Sequence, residues 1–420
     1  MAGIYHFYVD SFRGLAREVW LLSLVTFINR AGSMVIPFLS LYLTKSMGLS
    51  LDQVGWIMSA FGAGSILGSW LGGKLSDQFG YYQVIALSLF SSGLAFIGLQ
   101  FMEGFLSFCI GVFFLTTLND SFRPAMFVAL RNYSRPENRT RAVTLVRLAI
   151  NLGFSMGPAL GGLIITTLSY KGLFWVDGIS CILAGSLFLL KLPSKDGIAD
   201  IKGKDSLFRR SPYTDRTYLF FLLATVVITI PFLQYFSTIP LFYNAFHHMS
   251  EASIGLIIAF NGLLIFLTEM PLIRWCERKG YSIYSILAAS VVFFILSFIF
   301  LEMAPVVALL WVGMTFMTIG EMLNFPFMNR FAMDRSDQGL PGAYMAMFTI
   351  SWSVAHIIGH NLGMHMVEAM GYTATWYVFT GMLCVGLVMI YVLKGMVRRE
   401  KEKETEQSIE PSPTSGFEGS

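Results

Sequence analysis

Leu49–Tyr81 reads LSLDQVGWIMSAFGAGSILGSWLGGKLSDQFGY, and two hundred residues later Met249–Tyr281 reads MSEASIGLIIAFNGLLIFLTEMPLIRWCERKGY. Without a gap, Ser50/Ser250, Gly55/Gly255, Ile57/Ile257, Gly62/Gly262, Leu67/Leu267, Gly80/Gly280 and Tyr81/Tyr281 coincide, and Asp77 falls opposite Glu277. At an offset of 202, Pro124 meets Pro326, while Gly157, Leu160 and Gly161 meet Gly359, Leu362 and Gly363. A common offset recurring in separate segments marks an internal duplication.

Composition says what kind of unit is duplicated. The chain has 420 residues, 55% of them hydrophobic and only 13% charged. A soluble domain carries about a quarter charged residues, so this supply cannot coat a globule of this size, and the solvent must be mostly lipid. A secreted disulfide scaffold, a disordered chain and a single-anchor receptor are excluded. Apolar segments of spanning length fall at 17–43, 52–74, 83–101, 106–130, 142–168 and 173–191, then at 217–244, 252–274, 283–303, 306–330, 341–368 and 373–394. The expected fold is an all-α membrane protein of twelve transmembrane helices in two pseudo-symmetric six-helix bundles. The bundles are 1–192 and 217–395, joined by a cytoplasmic linker at 193–216 and followed by a disordered cytoplasmic tail at 396–420.

Charge placement tests that layout independently of hydropathy. With both termini cytoplasmic, 24 of the 29 Lys and Arg lie on the cytoplasmic side, and only Lys45 and Lys171 lie opposite. The other three, Arg30, Arg123 and Arg147, fall within spans. The first apolar run is too long for a cleavable signal and reads as the first span. Cys109, Cys181, Cys276 and Cys384 are scattered singly, which suggests neither a disulfide framework nor a metal site. Two six-helix halves around a basic loop suit a rocker whose central cavity opens to one face and then to the other.

Between the second and third spans stands Gly73-Lys-Leu-Ser-Asp77-Gln-Phe-Gly80-Tyr-Tyr, and in the fifth span Gly153-Phe-Ser-Met-Gly157-Pro158-Ala-Leu-Gly161-Gly162. The first resembles the GxxxD(R/K)xG(R/K)(R/K) signature of the major facilitator superfamily. The second is similar to its GxxxGPxxGG pattern, associated with the drug/proton antiporter branch. The resemblance implies that Gly73, Asp77 and Gly80 form a conformational latch, with Asp77 against the start of helix 11 near Pro341–Gly342. Gln78 and Tyr81–Tyr82 depart from the signature, so Arg131 is an alternative partner for the latch. The antiporters' RxxQG motif is missing from helix 4, so proton coupling through that arginine does not carry over. Small residues at every fourth position, in Gly64, Gly68 and Gly72 and in Gly153, Gly157 and Gly161, make flat faces for close helix packing.

Ionisable groups inside membrane helices face protein or water and are functional candidates. Arg30 stands beside Asn29 in helix 1. Asp120 and Arg123, three apart in helix 4 and next to Asn119, share a face and can pair. Glu321 and Asn324 occupy the corresponding part of helix 10. The family resemblance implies that helices 1, 4, 7 and 10 line one cavity, so these residues are expected around a common aqueous chamber. Glu321 or Asp120 could carry a proton, or Asp120 and Arg123 could be a permanent structural pair. Arg30, Arg123 and Arg147 could hold an anionic solute, though Arg147 could also snorkel to the interface. Asn151 and Asn261 are further polar candidates. His356 and His360, one turn apart in helix 11, fit a proton-responsive or hydrogen-bonding pair better than a metal site. Glu269 is expected to pair locally with Arg274 or a helix terminus.

These residues point to a secondary active transporter of a small solute working by alternating access, exporting drugs or metabolites against protons. The alternative is a proton-driven symporter of an anionic or peptide-like solute, and a third reading is a non-transporting sensor. No phosphate loop or HExxH sequence supports an enzyme, and no catalytic residue, cofactor or metal is expected. The expected partners are a small-molecule substrate, protons and the lipid bilayer, with no nucleic acid. The protein is expected to be a monomer in a bacterial inner membrane.

Overall fold

The computed structural model describes residues 10, 12–32, 34, 35, 38, 39, 42–49, 51–194, 210–249, 251–302 and 307–409. Most of the linker, at 195–209, and the end of the tail, at 410–420, lie outside the described residues, as do the side chains of Pro158 and His360 and the surroundings of Gly162. Helices account for nearly all of it, and the described residues contain no strand beyond an isolated bridge between Arg210 and Gly339.

The first bundle contains α1 (Arg17–Ala31), α2 (Leu51–Phe79), α3 (Tyr81–Leu99) and α4 (Phe105–Tyr133). Its last two helices, α5 (139–168) and α6 (170–191), are continuous in hydrogen bonding but turn sharply at Ser169. The second bundle contains α7 (Arg216–Leu233, continued by Thr238–His247), α8 (Glu251–Lys279), α9 (Ile283–Glu302) and α10 (Val307–Ser336). Its last pair, α11 (341–370) and α12 (372–409), turns at Gly371. Ser169 and Gly371 are again 202 apart and hold φ of 68° and 79°, so the duplication extends to the tightest turns. Gly80 and Gly280 likewise share positive φ, a conformation that side chains disfavour.

Eight stretches among the described residues are long and apolar enough to cross a bilayer on that criterion alone. The remaining spans carry charges or breaks that lower their hydropathy, but the packing places them in the same bundles. Leu87, Leu94, Leu106, Leu190, Val388 and Tyr391 stand exposed on the outer surfaces, where lipid covers them.

The glycine faces bring helices together as their spacing requires. A methyl added at Gly64, Gly68 or Gly72 of α2 would overlap the α4 backbone at Phe113, Thr117 or Ser121. On α5, Gly153 lies against Arg30 and Ala31 of α1, and Gly161 against Met34 and Phe38; Gly157 is buried.

The expectation of a tail losing order after 395 needs correcting, because α12 remains helical to Ile409. The extension is anchored by Glu400, which accepts a hydrogen bond from Thr217 at 2.6 Å and pairs with Arg335 at 2.7 Å. Arg335 also grips Asp215, the N-cap of α7, at 2.7 Å, and the Tyr344 hydroxyl donates to the same carboxylate. Burial works against ionisation of Asp215, but Arg335, the Tyr218 amide and Tyr344 outweigh it and hold the carboxyl below its usual range.

Candidate substrate and coupling site

The two bundles meet firmly on the face that carries the chain termini. The Asp77 carboxylate at the end of α2 accepts from the backbone N–H groups of Gly342 and Ala343, both at 2.7 Å, so it caps the positive N-terminus of α11. Gly73 lies directly against Gly342. The duplication supplies a second contact of the same kind, since Glu277, the counterpart of Asp77, pairs with Arg141 of α5 at 2.9 Å. Between the bundles Arg139 also bonds Asp334 at 2.6 Å and Asp337 at 2.9 Å. Arg131 pairs with Asp337, a further contact between the bundles on the face that holds Asp77.

Farther from that face, two glycines on the same helices stand open. Gly62 lies eleven residues before Gly73, about three turns along the same side of α2, yet a methyl there would meet nothing within 4 Å. Gly262, about two turns from Glu269 on the same side of α8, is equally open.

A charged cluster also bridges the two halves. Arg147 of α5 approaches Glu321 of α10 at 3.2 Å and Glu269 of α8 at 3.3 Å. Asn261 donates to Glu321 at 3.0 Å and contacts Thr318 at 3.0 Å. The Arg147 guanidinium lies over the Phe325 ring at 4.9 Å. Glu269 is 0% exposed, and neither of its oxygens has a hydrogen-bond partner among the described residues. Its local partner expected from sequence is not the one found: Arg274 reaches Asp10 at 4.0 Å, and Glu269 turns across the seam. Arg147 is likewise turned inward rather than toward the interface. Two buried carboxylates facing one guanidinium are neutral only when one of them holds a proton, and a surplus buried charge is costly.

The other expected residues divide. Arg30, Asp120 and Arg123 are half-buried in the first bundle, and both arginines feel the charge of Asp120. Asp120 and Arg123 nevertheless form no ion pair within 4 Å. Pro124 has no N–H for the Asp120 carbonyl, but the backbone stays helical through Ser121, so the shared face is kept without bringing the two side chains into contact. Arg30 instead stacks over Phe154 at 5.6 Å. Asn119 donates weakly to Asp120 at 3.4 Å, and Asn151 is half-buried on α5. Two asparagines face away from the common chamber assigned to them: Asn29 donates to Cys181 of α6 at 3.5 Å, and Asn324 donates to Ser290 of α9 at 2.7 Å. Both bridge helices of one bundle, the bland role open to a membrane asparagine. His356 is exposed beside Trp352, and no metal-binding group of side chains occurs among the described residues.

Sequence reasoning missed Asp177, a fully buried acid in α6. Its two oxygens accept from the N–H groups of Met34 at 2.9 Å and Val35 at 2.7 Å, just after α1 ends at Ala31 and turns at Gly32. A Cβ at Gly32 would overlap the Ser180 side chain, so glycine permits the approach and Asp177 caps the restart of the helix. Asp177→Ala should cost about 3 kcal/mol of stability through two orphaned amides, and Asp177→Asn less. Thermal unfolding of the purified variants checks this ranking.

These features define a polytopic membrane protein with two related bundles, closed on one face and joined by a charged seam. The family model of the Major Facilitator Superfamily matches residues 19–360 and 247–418. An uncharacterized MFS-type transporter of Bacillus subtilis (strain 168), YqjV, is 26% identical over 406 residues, covering 93% of this chain and 97% of that protein. The Na(+), Li(+), K(+)/H(+) antiporter of Planococcus maritimus is 22% identical over 375 residues, covering 79% and 85%. The crystal structure of the human organic anion transporter MFSD10 shares the fold with a TM-score of 0.70 at 15% identity, covering 89% of this chain and 99% of that one. The chain belongs to the major facilitator superfamily: it is an integral membrane transporter and not an enzyme.

Proposed function

We propose that the protein exports a small solute in exchange for protons by alternating access, with both termini in the cytoplasm of a bacterial cell. The observation that carries this reading is Arg147 held by Glu269 and Glu321 across the seam. A proton entering from the open face neutralises the cluster. Opening the termini face would draw α5 away from α8 and α10, so the charge state of the acids and the orientation of the cavity change together. Solute arriving on that side then displaces the proton. The Planococcus relative, described as a cation/proton antiporter, supports exchange.

A second reading, proton-driven uptake of an organic anion, is favoured by Arg30 and Arg123, two guanidiniums beside the single carboxylate of Asp120. Inverted membrane vesicles, acidified inside and followed with a pH-sensitive dye, separate the two. Sodium, a lipophilic cation and an aromatic acid are added outside in turn. Exchange predicts that at least one of them collapses the gradient in wild type and does so at least about tenfold more slowly in Glu321→Gln. Collapse that requires solute preloaded inside supports uptake instead, and unchanged rates in Glu321→Gln and Glu269→Gln defeat the coupling assignment.

A further inference from the structure

The termini face carries a recess that the transport cycle does not use. Along α12, Tyr391, Lys394, Arg398 and Lys401 follow at steps of three and four residues, which aligns them on one side of the helix. Glu400 turns to Arg335 instead, and the aligned stripe faces the start of α9. Between the two helices lies a cavity of 620 Å³, bordered by Ser282 and Tyr284 on one wall and by Lys394, Val397, Arg398 and Lys401 on the other. Glu402 also borders it, paired with Arg398 at 2.8 Å, so among the described lining residues three cations stand against one anion.

A second cavity of 390 Å³ continues from the first. The two share Tyr284 and Lys394, and beyond them the walls become apolar, with Ala289, Val292 and Phe293 on α9 and Tyr391 on α12. Val292 and Tyr391 are 41% and 61% exposed, on the outer surface of the bundle. A cationic chamber at the end of the span thus runs into an apolar groove within it, with Lys394 at the junction.

We propose that this recess binds an anionic phospholipid, its phosphate between Lys394, Arg398 and Lys401 and one acyl chain in the groove between α9 and α12. Basic pockets between membrane helices suit such headgroups. The surplus positive charge selects a lipid of net negative charge over a zwitterionic one, and the groove distinguishes a lipid from a soluble phosphate.

The test uses the purified full-length chain in detergent, titrated with phosphatidylglycerol, phosphatidylcholine of the same acyl chains, or glycerol phosphate. Phosphatidylglycerol is expected to raise the melting temperature by about 3 °C or more, as a ligand of the folded state does, and the other two to leave it nearly unchanged. Replacing Lys394, Arg398 and Lys401 together by Gln should remove the shift. The same replacement at Lys191, Lys279 and Arg399, exposed cations on the same face, should retain it. Ala289→Trp fills the groove without altering any charge and should also remove the shift, which decides the matter if the triple variant does not fold. Equal stabilisation by phosphatidylcholine, a full shift from glycerol phosphate, or a shift that survives in either blocking variant overturns the proposal.

Discussion

Arg147→Ala is expected to lower stability by about 3–5 kcal/mol, the usual cost of stripping a buried ion pair of one partner, and to abolish solute-driven proton movement. Glu269 and Glu321 would then share a water-poor site with no cation, Glu269 fully buried and Glu321 nearly so. Both acids would have to stay protonated, leaving no titration to couple to a change of orientation. Arg147→Lys keeps the charge but not the planar fork that reaches both carboxylates, and should fall between. Adding Glu269→Gln to Arg147→Ala should recover part of the stability, since one of the two carboxyls that must be kept protonated is gone, but none of the coupling. Thermal unfolding and vesicle measurements on the four proteins check the order. Wild-type stability in Arg147→Ala would show that the cluster is solvated and not the buried seam described above.

The second large effect concerns orientation. Asp77→Ala removes two hydrogen bonds from backbone N–H groups to a carboxylate, made across the seam. At about 1.5–3 kcal/mol for each bond to a charged group, the loss shifts the balance away from the state closed on the termini face by roughly a hundredfold or more. A cysteine at Gly62, in a protein stripped of its four native cysteines, reports the shift because the added side chain has open space around it. Labelling from the face opposite the termini by an impermeant thiol reagent should be fast with Asp77 and several-fold slower with Asp77→Ala. Glu277→Gln, which weakens the symmetry-related contact with Arg141, should move it the same way by less. Equal labelling rates would mean that these contacts are incidental to the equilibrium.

The two bundles were legible because duplication writes each feature twice, as Gly80 and Gly280 show by adopting the same rare backbone geometry. The contact of Asp77 with the start of α11 was legible because Asp77 sits inside a family motif. The seam was only half legible. Glu321 and Arg147 stood out as charges in apolar runs, but their pairing joins residues 174 apart, and helical periodicity says nothing across that distance. Glu269 had a cation five residues away, a local distraction from its true partner. Asp177 left almost no trace, since its ligands are backbone amides 143 and 142 residues away, which carry no sequence signature. Asp120 and Arg123 failed in the opposite sense, because a shared helix face allows a pair without imposing one.

Arg335 illustrates how such distant pairing orders the life of the chain. It lies 6% exposed at the end of α10, gripped by Asp215 and also by Glu400, 65 residues further on. While a ribosome is still making α11, the newly inserted bundle therefore carries an unfinished electrostatic joint. It closes only when α12 has emerged and folded back alongside α7, so the second bundle is completed from its end, after synthesis has passed its core.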